Sequence, residues 1–187
     1  MGFADMFKGD PLKKMFRGYD REEHEDIRQA AELISHSDPE VMKAVNAALS
    51  DPVKYLKTTA ERLSERGIEL DDEDTLDDLD DDEILFLSML DELEEHGFAF
   101  EFDWKCELGD FLWGLEQIKG YEAIADVLKT VKPDESKDIE AWGKQINAAL
   151  GETACVCYID INSDSYPITI LNYEILGELE IPFIMAM

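Results

Sequence analysis

Between Gly67 and Trp104 the chain carries seventeen acidic side chains and not one lysine or arginine. The densest part runs from Glu69 to Glu83, where eleven of fifteen residues are aspartate or glutamate. That much like charge cannot enter an apolar interior, and it repels itself when concentrated. Such a segment has to be a solvated connection, a loop that holds a ligand, or a surface turned toward a partner. The flanks are more balanced. Residues 1–66 hold eleven basic and thirteen acidic groups, and residues 105–187 hold six and fifteen. The formal charge of the whole is −28. A field of that sign repels nucleic acid and anionic membrane, and attracts cations and basic proteins.

On either side of the acidic run the apolar residues are periodic. Ile27, Ala30, Ala31 and Ile34 have helical spacing. Ser-Asp-Pro occurs at Ser37–Pro39 and again at Ser50–Pro52, each time offering a capping side chain with proline in the first turn. The stripes that follow are Val41, Ala44, Val45, Ala48 and then Val53, Leu56, Ala60, Leu63, which predicts an antiparallel helical pair ending at Gly67. Beyond the acidic run a helix is predicted up to Gly97, with Ile84–Leu87 apolar all round its first turn. Such a turn is either deeply buried or in contact with a partner.

Strict alternation from Phe98 to Trp104 predicts a half-buried strand. Helical faces follow at Leu108–Ile118, at Tyr121–Val131 and at Ile139–Leu150, the last capped by Asp134 or Ser136. The tail changes period. Residues 154–161 and 166–172 read as a hairpin, the first strand apolar on both faces as a central strand is. A short helix over Tyr173–Glu178 and a strand from Ile181 complete the chain. The fold class is therefore α+β, with a helical N-terminal half followed by a small, mainly antiparallel sheet packed with helices. The organisation expected is a basic arm over 1–20, a helical subdomain over 21–67, an acidic loop or linker over 68–83, and an α+β domain over 84–187. One continuous domain over 21–187 is the alternative.

Two segments approach the spacing of a calcium loop. With Asp72 at the first position, Asp74, Asp80 and Glu83 fall at the third, ninth and twelfth. However, Leu76 takes the fifth position, and Asp77 takes the sixth, where glycine makes the turn. In the second segment Asp160, Asn162 and Asp164 have the opening spacing. Ser165 replaces the glycine and Leu171 the closing glutamate. Asn and Asp are equally the ordinary residues of a hairpin turn. Cys155 and Cys157 share one strand face, but a zinc site needs two further ligands, and two small buried residues is the plainer reading. No cofactor is expected.

Phosphate-binding, nucleophile-elbow and zinc-protease motifs are missing, and no catalytic residue is assigned. Asp103, or Asp160 with Asp164 and Tyr166, offers the material for a carboxylate pair in an unrecognised cleft. Three cysteines in no framework spacing, no apolar run of spanning length and no cleavable leader point to a cytoplasmic protein.

Phe102-Asp103-Trp104-Lys105 before a helix, and Asp164-Ser165-Tyr166 in a hairpin, resemble a family of bacterial proteins grouped as a domain of unknown function. The likeness covers roughly the last hundred residues and implies no activity or site. In size and acidity the chain is also similar to bacterial immunity proteins, which neutralise toxins by binding them. The reading that follows is an acidic protein-binding module, in one form an inhibitor of a basic partner. Asp77, Asp78, Asp80, Asp81 and Asp82 would steer that partner, and Ile84, Leu85 and Leu87 would supply contact energy if exposed. The alternatives are a calcium-binding protein and an enzyme with a carboxylate site.

Overall fold

A computed structural model describes residues 23–65, 81–161, 164–178, 181 and 183–187. The expected N-terminal arm and the acidic run from Glu69 to Asp80 lie outside the described residues. The chain divides into two compact units, Met1–His96 and Gly97–Met187. Within the described residues there are eight α-helices, a 3₁₀ turn and a four-stranded antiparallel sheet, an α+β fold with helices in the N-terminal part. No described helix is long and apolar enough to cross a membrane.

The first unit contains α1 (Glu23–Ile34), α2 (Pro39–Ser50), α3 (Pro52–Glu65) and α4 (Asp81–Glu95). Both predicted proline starts are realised. Asp38 accepts from the main-chain N–H of Glu40 and Val41, and Asp51 from that of Lys54 at 3.1 Å. Val41, Val45 and Ala48 are buried as expected, whereas Val53 is exposed and Tyr55 takes an inward place beside Leu56. The side chains of Ala60 and Leu63 are not among those described. α4 packs against α1, α2 and α3 alike. A helix with neighbours on three sides has no free face, which is why every residue from Ile84 to Leu93 is buried. α4 packs within the helical unit, and the second unit begins at Gly97.

That burial carries a cost, because Asp91 and Glu92 go inside with their apolar neighbours. Arg62 of α3 answers both. Its guanidinium donates from Nε to Asp91 Oδ2 at 2.9 Å and pairs through Nη2 with Asp91 and Glu92. The Tyr55 hydroxyl donates to Glu92 Oε1 at 2.6 Å. Burial alone would weaken the guanidinium's hold on its proton, and the Glu92 and Asp91 carboxylates more than reverse this. Replacing Arg62 by Ala strands two buried carboxylates and should cost about 3 kcal/mol. The expected readout is a lower urea midpoint followed by helical circular dichroism, with Arg62→Lys recovering only part of the loss.

The second unit contains β1 (Phe100–Asp103), α5 (Leu108–Leu115), a 3₁₀ turn (Tyr121–Ala123), α6 (Ala125–Leu128), α7 (Ile139–Leu150), β2 (Ala154–Ile159), β3 (Ser165–Asn172), α8 (Tyr173–Glu178) and β4 (Ile184–Ala186). The sheet order is β1-β3-β2-β4, so the predicted hairpin forms its centre. The helix expected over Tyr121–Val131 is broken: Gly120 at φ 98° starts a tight turn that keeps Ile124 in the core. The cap of α7 is Asp138, which accepts from the Ala141 N–H at 2.9 Å, and not Asp134 or Ser136. Asp134 instead accepts from Ser136.

The core lies between α7, α5 and one face of the sheet, where Phe111 meets Phe102 and Trp142. Gly114 lets α5 settle on β1, since a Cβ there would overlap the Phe102 ring. Two features shape the rest. Pairing of β2 with β3 ends at Tyr158 opposite Ile168, one residue short of Pro167, which has no N–H to continue the ladder. Along the same strand, Val156 is held by Asn147 of α7. The Asn147 amide nitrogen donates to the Val156 carbonyl and to the Met187 main-chain oxygen, both at 2.9 Å, and its oxygen accepts from the Val156 N–H at 2.8 Å. Asn147→Ala removes all three bonds, leaving the Val156 carbonyl only the Met187 N–H at 3.2 Å, and should cost about 2 kcal/mol, read as a lower melting temperature of the full chain.

Candidate functional site

The sequence-predicted residues separate into three groups. Asp72, Asp74, Asp77, Asp78, Asp80 and Asn162 lie outside the described residues. Asp81, Asp82 and Glu83 form the first turn of α4. Ile84, Leu85 and Leu87 are only 1 to 2 % exposed, because α4 is enclosed by three other helices. They belong to the core of the helical unit and do not form a contact surface. Asp160 and Asp164 remain, and they are brought together in the second unit.

Where Pro167 ends the hairpin ladder, a cleft of about 320 Å³ lies beside the ends of β2 and β3. Glu140, Tyr158, Asp160, Ile161, Asp164, Ser165 and Tyr166 line it. Three elements contribute. Glu140 comes from the first turn of α7, Tyr158 and Asp160 from the end of β2, and Asp164 to Tyr166 from the start of β3. The main chain anchors each side. The Asp160 N–H donates to the Phe183 carbonyl at 2.8 Å, and the Trp104 N–H donates to the Asp164 carbonyl at 3.1 Å. Phe102 pairs with Tyr166 and Asp103 with Ser165, so β1 fixes the far wall.

Two tyrosines sit edge to face in this wall. The rings of Tyr158 and Tyr166 have centroids 5.7 Å apart and planes at 68°. The Tyr166 hydroxyl donates to Glu140 Oε1 at 3.2 Å. Lys144, one turn further along α7, meets the other oxygen of Glu140 at 3.3 Å from the outside, where its side chain is 64 % exposed. Burial pushes the Tyr166 phenol up to about 12, helped by the nearby Glu140 carboxylate. Burial also raises Tyr158, followed by the charges of Asp160 and Glu140. Both phenols therefore stay protonated near neutral pH, as hydrogen-bond donors and as aromatic surfaces.

Among the described residues no three or more His, Cys, Asp or Glu side chains stand close enough together to hold one metal ion. Of the enzyme reading's residues, Asp160, Asp164 and Tyr166 share the cleft, while Asp103 accepts from the Lys105 N–H at 2.7 Å in a local turn. Cys155 and Cys157 are buried, with the Cys157 thiol directed to the Cys155 carbonyl at 3.7 Å. Glu140 and Tyr158 were absent from the sequence-derived site. Tyr158 had a signal, as a polar-tipped residue in an otherwise apolar strand. Glu140 had none, since only the tertiary fold carries α7 over the hairpin.

The raised Tyr166 phenol has a testable consequence. Below pH ~10 both folded and unfolded chains keep this proton. Between ~10 and ~12 the unfolded chain loses it first, so stability falls as pH rises across that window. The expected result is a phenolate absorbance component centred near pH 12, which Tyr166→Phe removes along with its share of the alkaline destabilisation.

Comparison with known proteins places the chain in a family. No curated protein and no solved structure matches the chain significantly, and nothing found supports the likeness to immunity proteins. A family described as a domain of unknown function, DUF6630, matches residues 26–180. The match reaches back through the helical unit, well beyond the last hundred residues where the sequence resemblance lay. The chain belongs to the DUF6630 family.

Proposed function

We propose that this protein is an acidic binding module for a basic protein partner, and that the cleft between α7, β2 and β3 seats a cationic side chain of that partner. The observation that supports this is the cleft's lining: Glu140, Asp160 and Asp164 stand in it with Tyr158 and Tyr166, and the nearby Lys144 meets Glu140 from its exposed side. Carboxylates gathered at a mainly polar cleft are a chemistry that attracts cationic groups. The formal charge of −28 adds long-range steering of a basic protein toward it. Contact energy comes in this reading from Tyr158 and Tyr166, since Ile84–Leu87 are enclosed. The three cysteines are free thiols, in keeping with a cytoplasmic setting.

The test uses a fluorescent peptide rich in lysine and arginine, with an uncharged peptide of equal length as control. Binding should weaken steeply from roughly 50 to roughly 500 mM salt, as screening shortens from ~14 to ~4 Å. Asp160→Asn and Asp164→Asn should each weaken it by about two- to fivefold, the range of a partly exposed ion pair. Affinity that ignores both salt and these substitutions would refute the reading.

A further inference from the structure

We propose that the outer side of α5 docks a basic segment of a partner protein at Trp113, a contact that shares the basic-partner reading and does not depend on the cleft. The two sides of this helix differ. Phe111, Gly114 and Leu115 turn inward and are buried. Gly109, Asp110 and Trp113 share the outward side by helical spacing, Glu116 continues it at the helix end, and all four are exposed. Trp113 is 56 % exposed, and Phe100 meets its ring edge to face with centroids 5.7 Å apart. Tryptophan is enriched among the residues that anchor one protein on another.

Charge names the occupant. From Asp103 to Glu116 the chain carries four carboxylates and one lysine. That lysine, Lys105, lies 4.7 Å from the ring centroid of Trp104, itself an exposed tryptophan. Among the described residues no cation lies over Trp113, although Asp110 and Glu116 flank it one turn to either side. Glu116 accepts from the Tyr121 hydroxyl at 3.2 Å. An indole between two carboxylates suits a lysine or arginine from another chain. A second copy of this chain would bring the same carboxylates to the contact, against a formal charge of −28. Gly109 points the same way. A Cβ at Gly114 or Gly143 would overlap Phe102 or Met187, but at Gly109 it would meet nothing within 4 Å. Neither packing nor a left-handed backbone calls for glycine there, and glycine is a poor helix former. One turn from Trp113, it lets a partner's main chain come close to the helix.

The experiment follows the fluorescence anisotropy of a labelled peptide, in which lysines and arginines flank a central leucine, as the full chain is added. An analogue with glutamate for every basic residue is the control. Saturable binding is expected with the basic peptide and not with the acidic one. Trp113→Ala should weaken it by about tenfold. Asp110→Asn should weaken it about two- to fivefold, the range of an exposed ion pair. Gly109→Gln fills the space beside Trp113 and should weaken binding by about fivefold or more, while the melting temperature holds or rises. Trp104→Ala should leave the affinity unchanged. Binding that ignores the three α5 variants but falls with Asp160→Asn and Asp164→Asn would overturn this inference and leave the cleft reading standing. The reverse pattern would uphold the inference and refute the cleft. Absence of saturable binding by the basic peptide would overturn both. Self-association of the chain that Trp113→Ala abolishes would overturn the inference in favour of a second copy.

Discussion

Asn147 ties a helix to a sheet through both main-chain groups of a single strand residue. The contact is demanding, because an amide side chain must match a donor and an acceptor at once, and it also holds the Met187 oxygen. Its position gives it reach. Glu140 lies two turns earlier on the same helix, so the face that grips Val156 also presents Glu140 to Tyr166. The cleft depends on that alignment. If α7 shifted by a residue along β2, the carboxylate and the phenol would part, and the space bounded by the hairpin ends would lose its third side.

The two units treat negative charge in opposite ways. In the helical unit Asp91 and Glu92 are enclosed, and Arg62 and Tyr55 are spent on them. Removal of one member leaves an uncompensated buried charge, so this cluster is structural. At the cleft Glu140 borders solvent, where it accepts from the Tyr166 hydroxyl through one oxygen and pairs with the exposed Lys144 through the other. An ion pair placed there costs little to maintain, since water screens it.

Legibility in the sequence follows the range of the interactions. The proline-started helices, the central hairpin and the terminal elements were readable because caps, turn residues and periodicity act within a few positions. The break after Gly120 and the choice of Asp138 as cap were not, because several residues there can serve and packing selects among them. The all-round apolar turn at Ile84–Leu87 suits either burial or a partner, and the sequence favours the partner; its three helical neighbours decide for burial. At the site, Asp160, Asp164 and Tyr166 stood out through a local spacing first weighed as a calcium loop or a turn. Glu140 joins them across the fold, and no local pattern announces such a meeting.

The sheet order has a further consequence, for behaviour at high concentration. Its outer strands are short: β1 spans four residues, two of them acidic, and β4 spans three. Short and charged margins discourage the joining of one molecule's sheet to another's. The strands rich in Val, Ile and Leu, β2 and β3, lie inside. β4 is the thin cover over β2, and Asn147 secures the residue just beyond it. When that cover lifts, Ala154–Ile159 becomes an uncharged apolar margin open to another chain. Weakening the asparagine contact would thus tend to surface as self-association before it surfaced as global unfolding.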